Sequence, residues 1–428
     1  MRFLYTLLLY LACPLVSAVL LVRGVRDRSY WRHFSERFGF GVPAPQGGIW
    51  VHAVSVGEVQ AAAALIVTLR ERHPAIPVVV TTFTPTGAAR ARALLRDQAQ
   101  VRYVPFDLPG AVRRFFRRVR PRLAVIFETE LWPNLYHECG RQRVPLVLAS
   151  ARISTRSVAR YRKLGSLFRA VLARGAIIAA QGAEDAERFR SLGADPERTH
   201  VTGNLKFDVA VPGAVAAQAA RLREQYVLGR PAWVAGSTHT GEDEQVLEAH
   251  RIVRATHPRA LLILAPRHPA RFAEVADRLQ RSGVSFVRRS HVTDDVPHQG
   301  MAGAEVLLLD SLGELLDFYA AADVAFVGGS LVPIGGHNLL EPAALGLPVL
   351  TGPYNSNSAQ ITRLLTEQGA AQIVRDSRQL GERVAALLSD PEQRARIGER
   401  GKAAVQSNRG ALGNLLALIE PLLRGQGF

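Results

Sequence analysis

Cysteine is scarce in this sequence, which has only Cys13 and Cys139 among 428 residues. Two thiols in unrelated sequence contexts form neither a disulfide framework nor the spacing of a metal site. No other metal-binding cluster appears in the sequence, so we expect no metal cofactor. The scarcity excludes a disulfide-stapled scaffold and is compatible with a reducing compartment.

Lysine is equally scarce, because Lys163, Lys206 and Lys402 are the only lysines in a chain with 53 basic residues and a net charge of +16. This charge predicts an anionic partner, which is nucleic acid, a phospholipid surface or a phosphorylated substrate. Arginine offers a planar fork for phosphate, although genome composition produces the same bias. The sequence has no RRM, KH, zinc-finger or helix-turn-helix pattern, so we expect no nucleic-acid partner.

Charged residues are missing from Phe3 to Val22, a run of about 20 residues that is long enough to span a hydrocarbon core as a helix. We expect residues 1–24 to form a membrane anchor. A cleaved signal peptide is the alternative, because residues 16–18 resemble a cleavage site, but the run contains no short delimited apolar core. Pro14 allows either a kinked span or a shallow interfacial helix.

The basic residues that follow this run predict its orientation. Positive flanks stay on the cytoplasmic side of a membrane. Four arginines come directly after the run, at Arg23, Arg26, Arg28 and Arg32. We therefore expect the remaining chain to lie on the cytoplasmic side, anchored to the inner-leaflet side of the membrane.

Apolar strand-like segments alternate with helix-like segments over the rest of the chain, which is typical of a parallel sheet covered on both faces. They lie at 49–53, 77–82, 101–105, 123–127, 146–148 and 177–180, and again at 232–235, 261–264, 285–287, 306–309, 324–327 and 348–350. We predict an α/β fold of two doubly wound, Rossmann-like domains, residues 25–207 and 231–428, that face an interdomain cleft. Residues 208–230 are predicted to be a linker, and the last helix could pack back on the first domain.

The run from Gly328 to Pro353 follows one of these strands and leads into a helix-like segment. Glycine lets the backbone approach a ligand, and the free N–H groups at a helix start favour a phosphate. Glycine pairs alone are equally compatible with a tight turn. His337, Asn338 and Glu341 follow them, however, with donors for phosphate and a carboxylate for a ribose diol. We therefore predict a nucleotide-phosphate site in this run.

Two strand ends of the first domain carry carboxylates. Glu58 lies in the turn after the first strand, where it could accept a proton from a hydroxyl or only cap the following helix. Glu128 and Glu130 follow the strand at 123–127, on opposite sides of any continuing strand. At most one of these two is therefore expected to face the cleft.

Further polar residues mark the domain junction and two strand ends of the second domain. Lys206 lies near the junction and suits an anion, although a polar residue at a hinge is usually solvated. Ser237 comes where a strand runs into a helix, and Arg267 and His268 follow the strand at 261–264. Arg267 can make a bidentate contact with phosphate or carboxylate, whereas a single histidine is more often structural.

Two basic segments suit a membrane surface. Residues 113–120 mix arginines with Phe115 and Phe116, and residues 156–174 place basic residues among Leu, Phe and Val. Basic amphipathic helices bind anionic headgroups, and an ordinary solvated helix face is the alternative for either segment. Together with the N-terminal run, the two segments favour an anionic membrane surface as a partner.

Several motifs occur here in a family order: WVHAVSVGE at 50–58, ETELWPN at 128–134, ARIS at 151–154, GNLK at 203–206, AGSTH at 235–239, PRHP at 266–269 and the run at 328–353. By these motifs the chain resembles, over its whole length, the 3-deoxy-D-manno-oct-2-ulosonic acid (Kdo) transferases of lipopolysaccharide synthesis. These are inverting glycosyltransferases of the GT-B fold. One departure is Ser150, where the resemblance predicts Asn.

The resemblance implies that Glu58 is the catalytic base, which deprotonates the 6′-hydroxyl of a lipid A precursor for attack on the anomeric carbon of CMP-Kdo. It implies a second acidic position in 128–130, for which we choose Glu130. The CMP-Kdo donor is expected to contact a larger set, namely Lys206, Ser237, Arg267, His268, Gly329, Ser330, Gly336, His337, Asn338 and Glu341. A helix dipole and arginine, and no metal, are expected to stabilise the departing phosphate.

Three other functions fit parts of the same pattern. A UDP-sugar transferase acting on a lipid and a sugar-nucleotide epimerase share the architecture, although the epimerase has no need of a membrane anchor. A non-enzymatic membrane adaptor explains the anchor and the charge, and it leaves the polar strand ends unused.

Overall fold

The computed structural model describes residues 1–163, 165–172, 175–209, 211–292 and 300–425. The chain divides into two compact units, of which the first comprises Met1–Asp208 and Arg409–Phe428 and the second Val209–Asn408. Arg174, the last residue of the basic segment predicted at 156–174, lies outside the described residues. Each unit contains one seven-stranded sheet.

The sheet of the first unit is parallel and doubly wound. Its strands are β1 (Ile49–His52), β2 (Val78–Thr82), β3 (Gln100–Tyr103), β4 (Leu123–Phe127), β5 (Leu146–Ala151), β6 (Ile177–Ala180) and β7 (Thr199–Val201). They are ordered β3-β2-β1-β4-β5-β6-β7, with neighbouring strands parallel. The order reverses between β1 and β4, which is the switch point where ligands of such sheets bind.

Helices cover both faces of this sheet. The helices of this unit up to residue 191 are α1 (Arg2–Arg26), α2 (Val56–Arg72), α3 (Pro85–Leu95), α4 (Pro109–Val119), α5 (Pro133–Arg141), α6 (Thr155–Lys163), α7 (Gly165–Leu172) and α8 (Ala183–Ser191), and α1 does not contribute to the cores beside the sheet. The side chains of β1 alternate between the two resulting cores, with Ile49 and Val51 in one and Trp50 in the other. All three are at most 1% exposed, as expected for a strand buried on both faces.

Helix α1 is long and apolar enough to cross a membrane, by length and composition. Most of its apolar side chains are exposed, including Phe3 at 82% and Leu11 at 69%. Exposed apolar surface of this extent marks a contact with a membrane or another protein. The helix is therefore a candidate membrane anchor, with Pro14 in its interior.

The aromatic residues of the first predicted basic segment do not face outward. Phe115 and Phe116 of α4 are only 4% and 0% exposed and belong to the core of the first unit, where both rings pack against Trp50. Arg113 and Arg117 of the same helix are exposed. Any attraction of α4 to a membrane therefore comes from its arginines and not from the phenylalanines.

The second unit repeats the doubly wound arrangement. Its strands are β8 (Ala232–Thr238), β9 (Leu261–Pro266), β10 (Phe286–Arg288), β11 (Val306–Leu308), β12 (Val324–Val327), β13 (Val349–Thr351) and β14 (Ala371–Ile373). They are parallel in the order β10-β11-β9-β8-β12-β13-β14, so the switch point lies between β8 and β12. Its helices are α9 (Val215–Leu222), α10 (Asp243–Thr256), α11 (Phe272–Arg281), α12 (Leu315–Ala320), α13 (Leu340–Leu345), α14 (Ala359–Glu367), α15 (Ser377–Ser389) and α16 (Pro391–Ser407).

Most of the segment at 208–230 is folded as part of the second unit. It contains α9 and a π-helical turn at Arg223–Val227. Leu222, Tyr226 and Val227 are at most 2% exposed and pack in one of the two cores of this unit. The segment thus contributes buried apolar surface to the second sheet.

The last helix, α17 (Ala411–Leu423), belongs to the first unit. Ile419 is fully buried in the core beneath α2. The side chain of Asp208 accepts hydrogen bonds from the backbone N–H groups of Gly410 at 2.7 Å and Leu412 at 2.6 Å. This carboxylate satisfies donors at the helix start that have no partner within the helix.

Candidate active site

The switch point of the first unit brings three carboxylates to neighbouring strand ends. Glu58 follows β1 at the start of α2, and Glu128 and Glu130 follow β4, the strand paired with β1. Because the carboxyl ends of adjacent parallel strands lie at one edge of the sheet, residues 70 positions apart in sequence become electrostatic neighbours. Both Glu128 and Glu130 raise the pKa of Glu58.

Glu58 is a nearly buried carboxylate in a helix capping box. Its backbone N–H donates to the hydroxyl of Ser55, which in turn donates to Glu58 Oε1 at 2.9 Å. Glu58 Oε2 accepts from the N–H of Val54 at 2.8 Å. Burial nevertheless dominates and raises the pKa of Glu58 to about 7, against the lowering effect of these bonds. The sequence leaves open whether Glu58 caps the helix or accepts a proton. In the structure its side chain caps α2 and also has the raised pKa that suits a base, so the two roles are compatible.

Glu130 is held by a tryptophan. The indole N–H of Trp132 donates to Glu130 Oε2 at 2.7 Å, and burial raises the pKa of Glu130. The Trp132 ring also lies edge-on to the buried His52, with ring centroids 5.5 Å apart. Trp132 thus fixes the position of one acidic group.

Glu128 faces a different set of partners. It accepts from Lys206 Nζ at 3.2 Å and lies 4.0 Å from the guanidinium of Arg152. Its backbone φ is +58°, a left-handed conformation that is uncommon for a residue with a side chain and that recurs at functional sites. Lys206 therefore belongs to the acidic site of the first unit in this structure.

A chain of side-chain amides supports Lys206 from the neighbouring strands. Asn204 Oδ1 accepts from the N–H of Lys206 at 3.0 Å, and its amide donates to Gln181 at 3.1 Å. Gln181 donates in turn to the hydroxyl of Ser150 at 3.1 Å. Ser150 has a φ of +50°, a region in which asparagine is favoured over most residues. The Asn that the resemblance predicts there would therefore suit the backbone well.

In the second unit the glycine turn after β12 does not present free N–H groups. The N–H groups of Gly329, Ser330 and Leu331 donate to the carboxylate of Glu242 at 2.6, 2.9 and 2.8 Å. Glu242 is fully buried and also accepts from the N–H of His239 at 3.0 Å. In this structure the N–H groups of the predicted phosphate site are therefore occupied by a carboxylate of the chain itself.

Two further expectations for this turn need correction. The hydroxyl of Ser330 donates to the carbonyl of Val327 at 2.6 Å and accepts from the N–H of Gly352 at 2.8 Å, so its hydrogen bonds are internal. The helix that follows, α13, begins at Leu340 and has only six residues. The helix start therefore lies several residues beyond the glycine pair at 328–329, and it does not continue that turn.

Three histidines, His239, His268 and His337, lie close together where the turn after β12 meets the ends of β8 and β9. His239 Nε2 lies 2.8 Å from His337 Nε2, with the rings stacked at 5.0 Å, and His268 approaches His239 edge-on at 5.2 Å. Burial, followed by the neighbouring His239 and Arg267, lowers the pKa of His337 to about 4. Neutral imidazoles beside an arginine form a site that gains from binding an anion.

The other residues predicted to contact the CMP-Kdo donor lie at or after the carboxyl ends of β8, β9 and β12. Arg267 and His268 follow β9 and are exposed, and Arg267 has no ion pair among the described residues. Ser237 is the second-last residue of β8 and has a φ of +59°. The amide of Asn338 donates to Glu341 at 3.0 Å, so these two side chains act as a pair.

Gly336 requires its glycine. Its φ is +74°, and a Cβ there would overlap Asn355 Oδ1. The Gly336 N–H donates to the carbonyl of Gly329 at 2.7 Å, which closes the loop on itself. The role of this glycine in the structure is therefore to shape the loop, since its N–H is already bonded.

Sequence reasoning missed Glu242, His239 and Gln181. Glu242 and His239 lie in the strand-to-helix turn after β8, where Ser237 is the residue that the sequence predicts for the site. Glu242 bonds a turn 87 residues away, and such a pairing depends on β8 and β12 being neighbours. Strand order is the missing information, because spacing along the chain does not reveal it.

Two doubly wound parallel sheets, each with polar residues at its switch point, are the architecture of the GT-B fold. A putative UDP-N-acetylglucosamine 2-epimerase from Listeria monocytogenes matches with a TM-score of 0.56 at 14% identity, over 90% of this chain and 98% of its own. Anabaena HepE in complex with UDP matches with a TM-score of 0.54 at 16% identity, over 88% and 99%. At these identities the similarity establishes the fold.

Sequence comparison identifies the family within that fold. The family model of 3-deoxy-D-manno-octulosonic-acid transferase (kdotransferase) matches residues 32–209, and that of glycosyl transferases group 1 matches residues 300–404. The 3-deoxy-D-manno-octulosonic acid transferase of Haemophilus influenzae is 42% identical over 99% of both chains, and that of Bordetella pertussis is 39% identical over 99% of both. The chain belongs to the Kdo transferase family. The predicted family and the predicted glycosyltransferase class are confirmed, and the epimerase and adaptor alternatives are no longer needed.

Proposed function

We propose that this chain transfers Kdo from CMP-Kdo to a lipid A precursor with inversion at the anomeric carbon, and that Glu58 is the general base. The observation that carries the proposal is a nearly buried carboxylate at a sheet switch point whose pKa is raised to about 7. A base with a pKa near the working pH combines sufficient deprotonated fraction with sufficient basicity. Glu58 takes the proton of the acceptor hydroxyl, the oxygen bonds the anomeric carbon, and CMP leaves in the same displacement.

The neighbouring carboxylates have separate roles in this proposal. Glu130, fixed by Trp132, orients the acceptor, whereas Glu128 and Lys206 form an ion pair that sets the local charge around Glu58. A carboxylate beside the base raises its pKa, because two negative charges at close range cost free energy. The base strength of Glu58 thus depends on a pair of residues that does not itself transfer the proton.

The donor is assigned to the strand ends of the second unit. Arg267 is exposed and available for a bidentate contact with the phosphate, and His239, His268 and His337 lie beside it. Asn338 and Glu341 suit the ribose, and Ser237 the remaining polar groups. The N–H groups at 329–331 are not assigned to the donor, because Glu242 occupies them. The developing phosphate charge is stabilised by Arg267 and the imidazoles, and the scheme requires no metal ion.

We further propose that α1 anchors the enzyme to the cell inner membrane, with both units on the cytoplasmic side. The apolar length of α1 supports an anchor, and the arginines that follow it support the orientation. An anionic bilayer surface would also attract the exposed arginines of α4. This location would give the enzyme access to its lipid acceptor from within the bilayer.

The test of the function is a Glu58→Gln variant. Glutamine preserves the capping box and removes the base, so we expect an intact fold, unchanged CMP-Kdo affinity by calorimetry, and transfer reduced by about 10²–10⁴-fold. Transfer is measured by mass spectrometry of the acceptor after incubation with CMP-Kdo. Glu71→Gln, at an exposed carboxylate on the same helix, serves as the control and should transfer normally. Near wild-type turnover by Glu58→Gln would reject this residue as the base.

A further inference from the structure

Helix α1 is in contact with the rest of the first unit, because polar side chains near its start bond to a residue just before α4 and to a residue in the first turn of α5. The Tyr5 hydroxyl donates to Asp107 Oδ2 at 2.9 Å, and the Asn134 amide donates to the Thr6 hydroxyl at 3.1 Å. At the other end, a Cβ on Gly24 would overlap the Trp31 ring, so that ring packs directly on the helix backbone. One side of α1 is therefore docked on the unit, and the other side is exposed and apolar.

A cavity of about 180 Å³ lies beside this docked helix. Its walls are mostly apolar and come from α1 on one side and from residues 106–108 and Trp132 on the other, and they include Leu9, Cys13, Val16, Phe106 and Leu108. Val16 lines the cavity and is itself 39% exposed. The cavity is therefore continuous with the exposed apolar face of α1.

The one carboxylate in the lining offers nothing to a polar ligand. Asp107 Oδ2 accepts from Tyr5 and from the N–H of Asn134 at 3.0 Å, and Oδ1 accepts from the N–H of Leu135 at 2.7 Å. Asp107 is only 6% exposed. Because its oxygens are already bonded within the chain, the cavity favours an apolar occupant.

The cavity also shares a wall with the acidic site. Trp132 lines the cavity and donates through its indole N–H to Glu130 at 2.7 Å. Glu130 is in turn an electrostatic neighbour of Glu58. A chain lying in the cavity is thus one side chain away from the carboxylate assigned to the acceptor.

We infer that this cavity binds a stretch of one acyl chain of the acceptor lipid and so positions the acceptor hydroxyl at Glu58. The inference rests on the proposed function in taking the acceptor to be a lipid. It commits to the acceptor's own chain, and not to a bilayer phospholipid, because the Trp132 wall connects the cavity to the acidic site. Acyl recognition then contributes to acceptor affinity separately from the sugar.

A matched pair of substitutions on α1 tests the site through kinetics. Ala12 lines the cavity and Ala18 does not, and both are exposed, so Ala12→Leu fills the cavity while Ala18→Leu adds the same atoms elsewhere. We expect Ala12→Leu to raise the KM for the tetraacylated acceptor about tenfold, as for the loss of roughly two buried methylenes. Its KM for CMP-Kdo should stay unchanged. Equal acceptor KM values for the two variants would overturn the inference.

Cys13 provides a second test that needs no turnover. It is half-buried and lines the cavity, whereas Cys139, the other cysteine of the chain, is 2% exposed. In detergent, the tetraacylated acceptor should slow N-ethylmaleimide labelling of Cys13, and the fully deacylated disaccharide should not. If a phospholipid at the same concentration protects Cys13 equally well, the cavity binds bilayer lipid in general, and the assignment to the acceptor is overturned.

The two tests separate this inference from the proposed function. If the wild-type protein transfers nothing from CMP-Kdo, the proposed function fails, and the labelling experiment still decides whether the cavity takes an acyl chain. If transfer occurs and Cys13 is not protected by the acylated acceptor, the function stands and the acyl site is rejected.

Discussion

At the scale of single residues, the protonation of Glu58 depends on its neighbours. Its pKa is raised to about 7, first by burial and then by the charges of Glu128 and Glu130. As the base must be deprotonated, we expect kcat/KM to rise with pH through about 7 and then level off. Glu128→Gln removes one negative neighbour, lowers the pKa of Glu58 and shifts this rise to lower pH.

The measurement is the pH dependence of kcat/KM under conditions of limiting acceptor. Glu184→Gln, at a carboxylate on α8 that is 80% exposed in its side chain, is the control and should leave the profile in place. A profile that rises near 7 in both variants would mean that Glu128 does not influence the titrating group.

Glu242 gives a second prediction at this scale. Its carboxylate accepts four backbone N–H bonds, and Glu242→Gln would turn an amide NH₂ toward the same donors. Buried donors without acceptors cost about 1–3 kcal/mol, so amide hydrogen exchange at residues 329–331 should become about tenfold faster or more. Exchange is measured by mass spectrometry. Glu248→Gln, a half-exposed carboxylate on α10, should leave it unchanged.

Which site residues the sequence reveals depends on whether their role is local. Glu58 and Glu130 lie close to the carboxyl ends of apolar strands, and that position is visible in the sequence. The partners of Gly329 are not visible, because the backbone donors of a glycine turn look the same whether a phosphate or Glu242 fills them. The pairing of His239 with His337 spans 98 residues and likewise requires the order of the strands.

At the scale of elements, α17 is predicted to be indispensable to the first unit. Ile419 is fully buried beneath α2. Ile419→Ala should lower the free energy of unfolding by about 2–5 kcal/mol, the usual cost of a cavity at a closed position. Hydrogen exchange should report the loss in β1 and α2, with the strands of the second unit unaffected. Leu418→Ala, at a half-buried position on the same helix, should cost clearly less.

The elements themselves follow closely from apolar runs, with two exceptions. Strands at 123–127, 177–180 and 324–327 have the predicted bounds. β7 and β14 were not predicted, because each has only three residues and its last residue is exposed. Edge strands of this length have too few apolar positions to show a pattern.

At the scale of the whole molecule, charge and apolar surface should act together on a membrane. The net charge of +16 predicts tighter binding to anionic than to zwitterionic vesicles, and this difference should vanish as salt shortens the screening length from about 10 Å at 0.1 M to about 3 Å at 1 M. The contribution of α1 is apolar and should survive at high salt. Vesicle flotation at low and at high salt measures both the electrostatic and the apolar contribution to binding.

Arg113→Gln with Arg117→Gln is the informative variant, because both side chains are exposed on α4. It should weaken binding to anionic vesicles at low salt and leave binding at high salt unchanged. Equal binding of the wild-type protein to both vesicle types at low salt would contradict an electrostatic contribution.

Two domains were expected from length and strand count, and the two doubly wound sheets agree with that expectation. The sequence leaves the docking of the last helix open, because an apolar stripe on α17 fits the face of either sheet. Only the contacts of Ile419 and the bonds of Asp208 to Gly410 and Leu412 show where that helix packs.

The packing of the C-terminal helix α17 on the first unit has a consequence for the biosynthesis of the protein. The core of the first unit is completed by α17, which the ribosome makes only after Val209–Asn408. At about 5–20 residues per second, the intervening 200 residues take roughly 10–40 s. During that interval the core face beneath α2 lacks its cover, so the nascent enzyme should be a client of chaperones until its final helix has emerged.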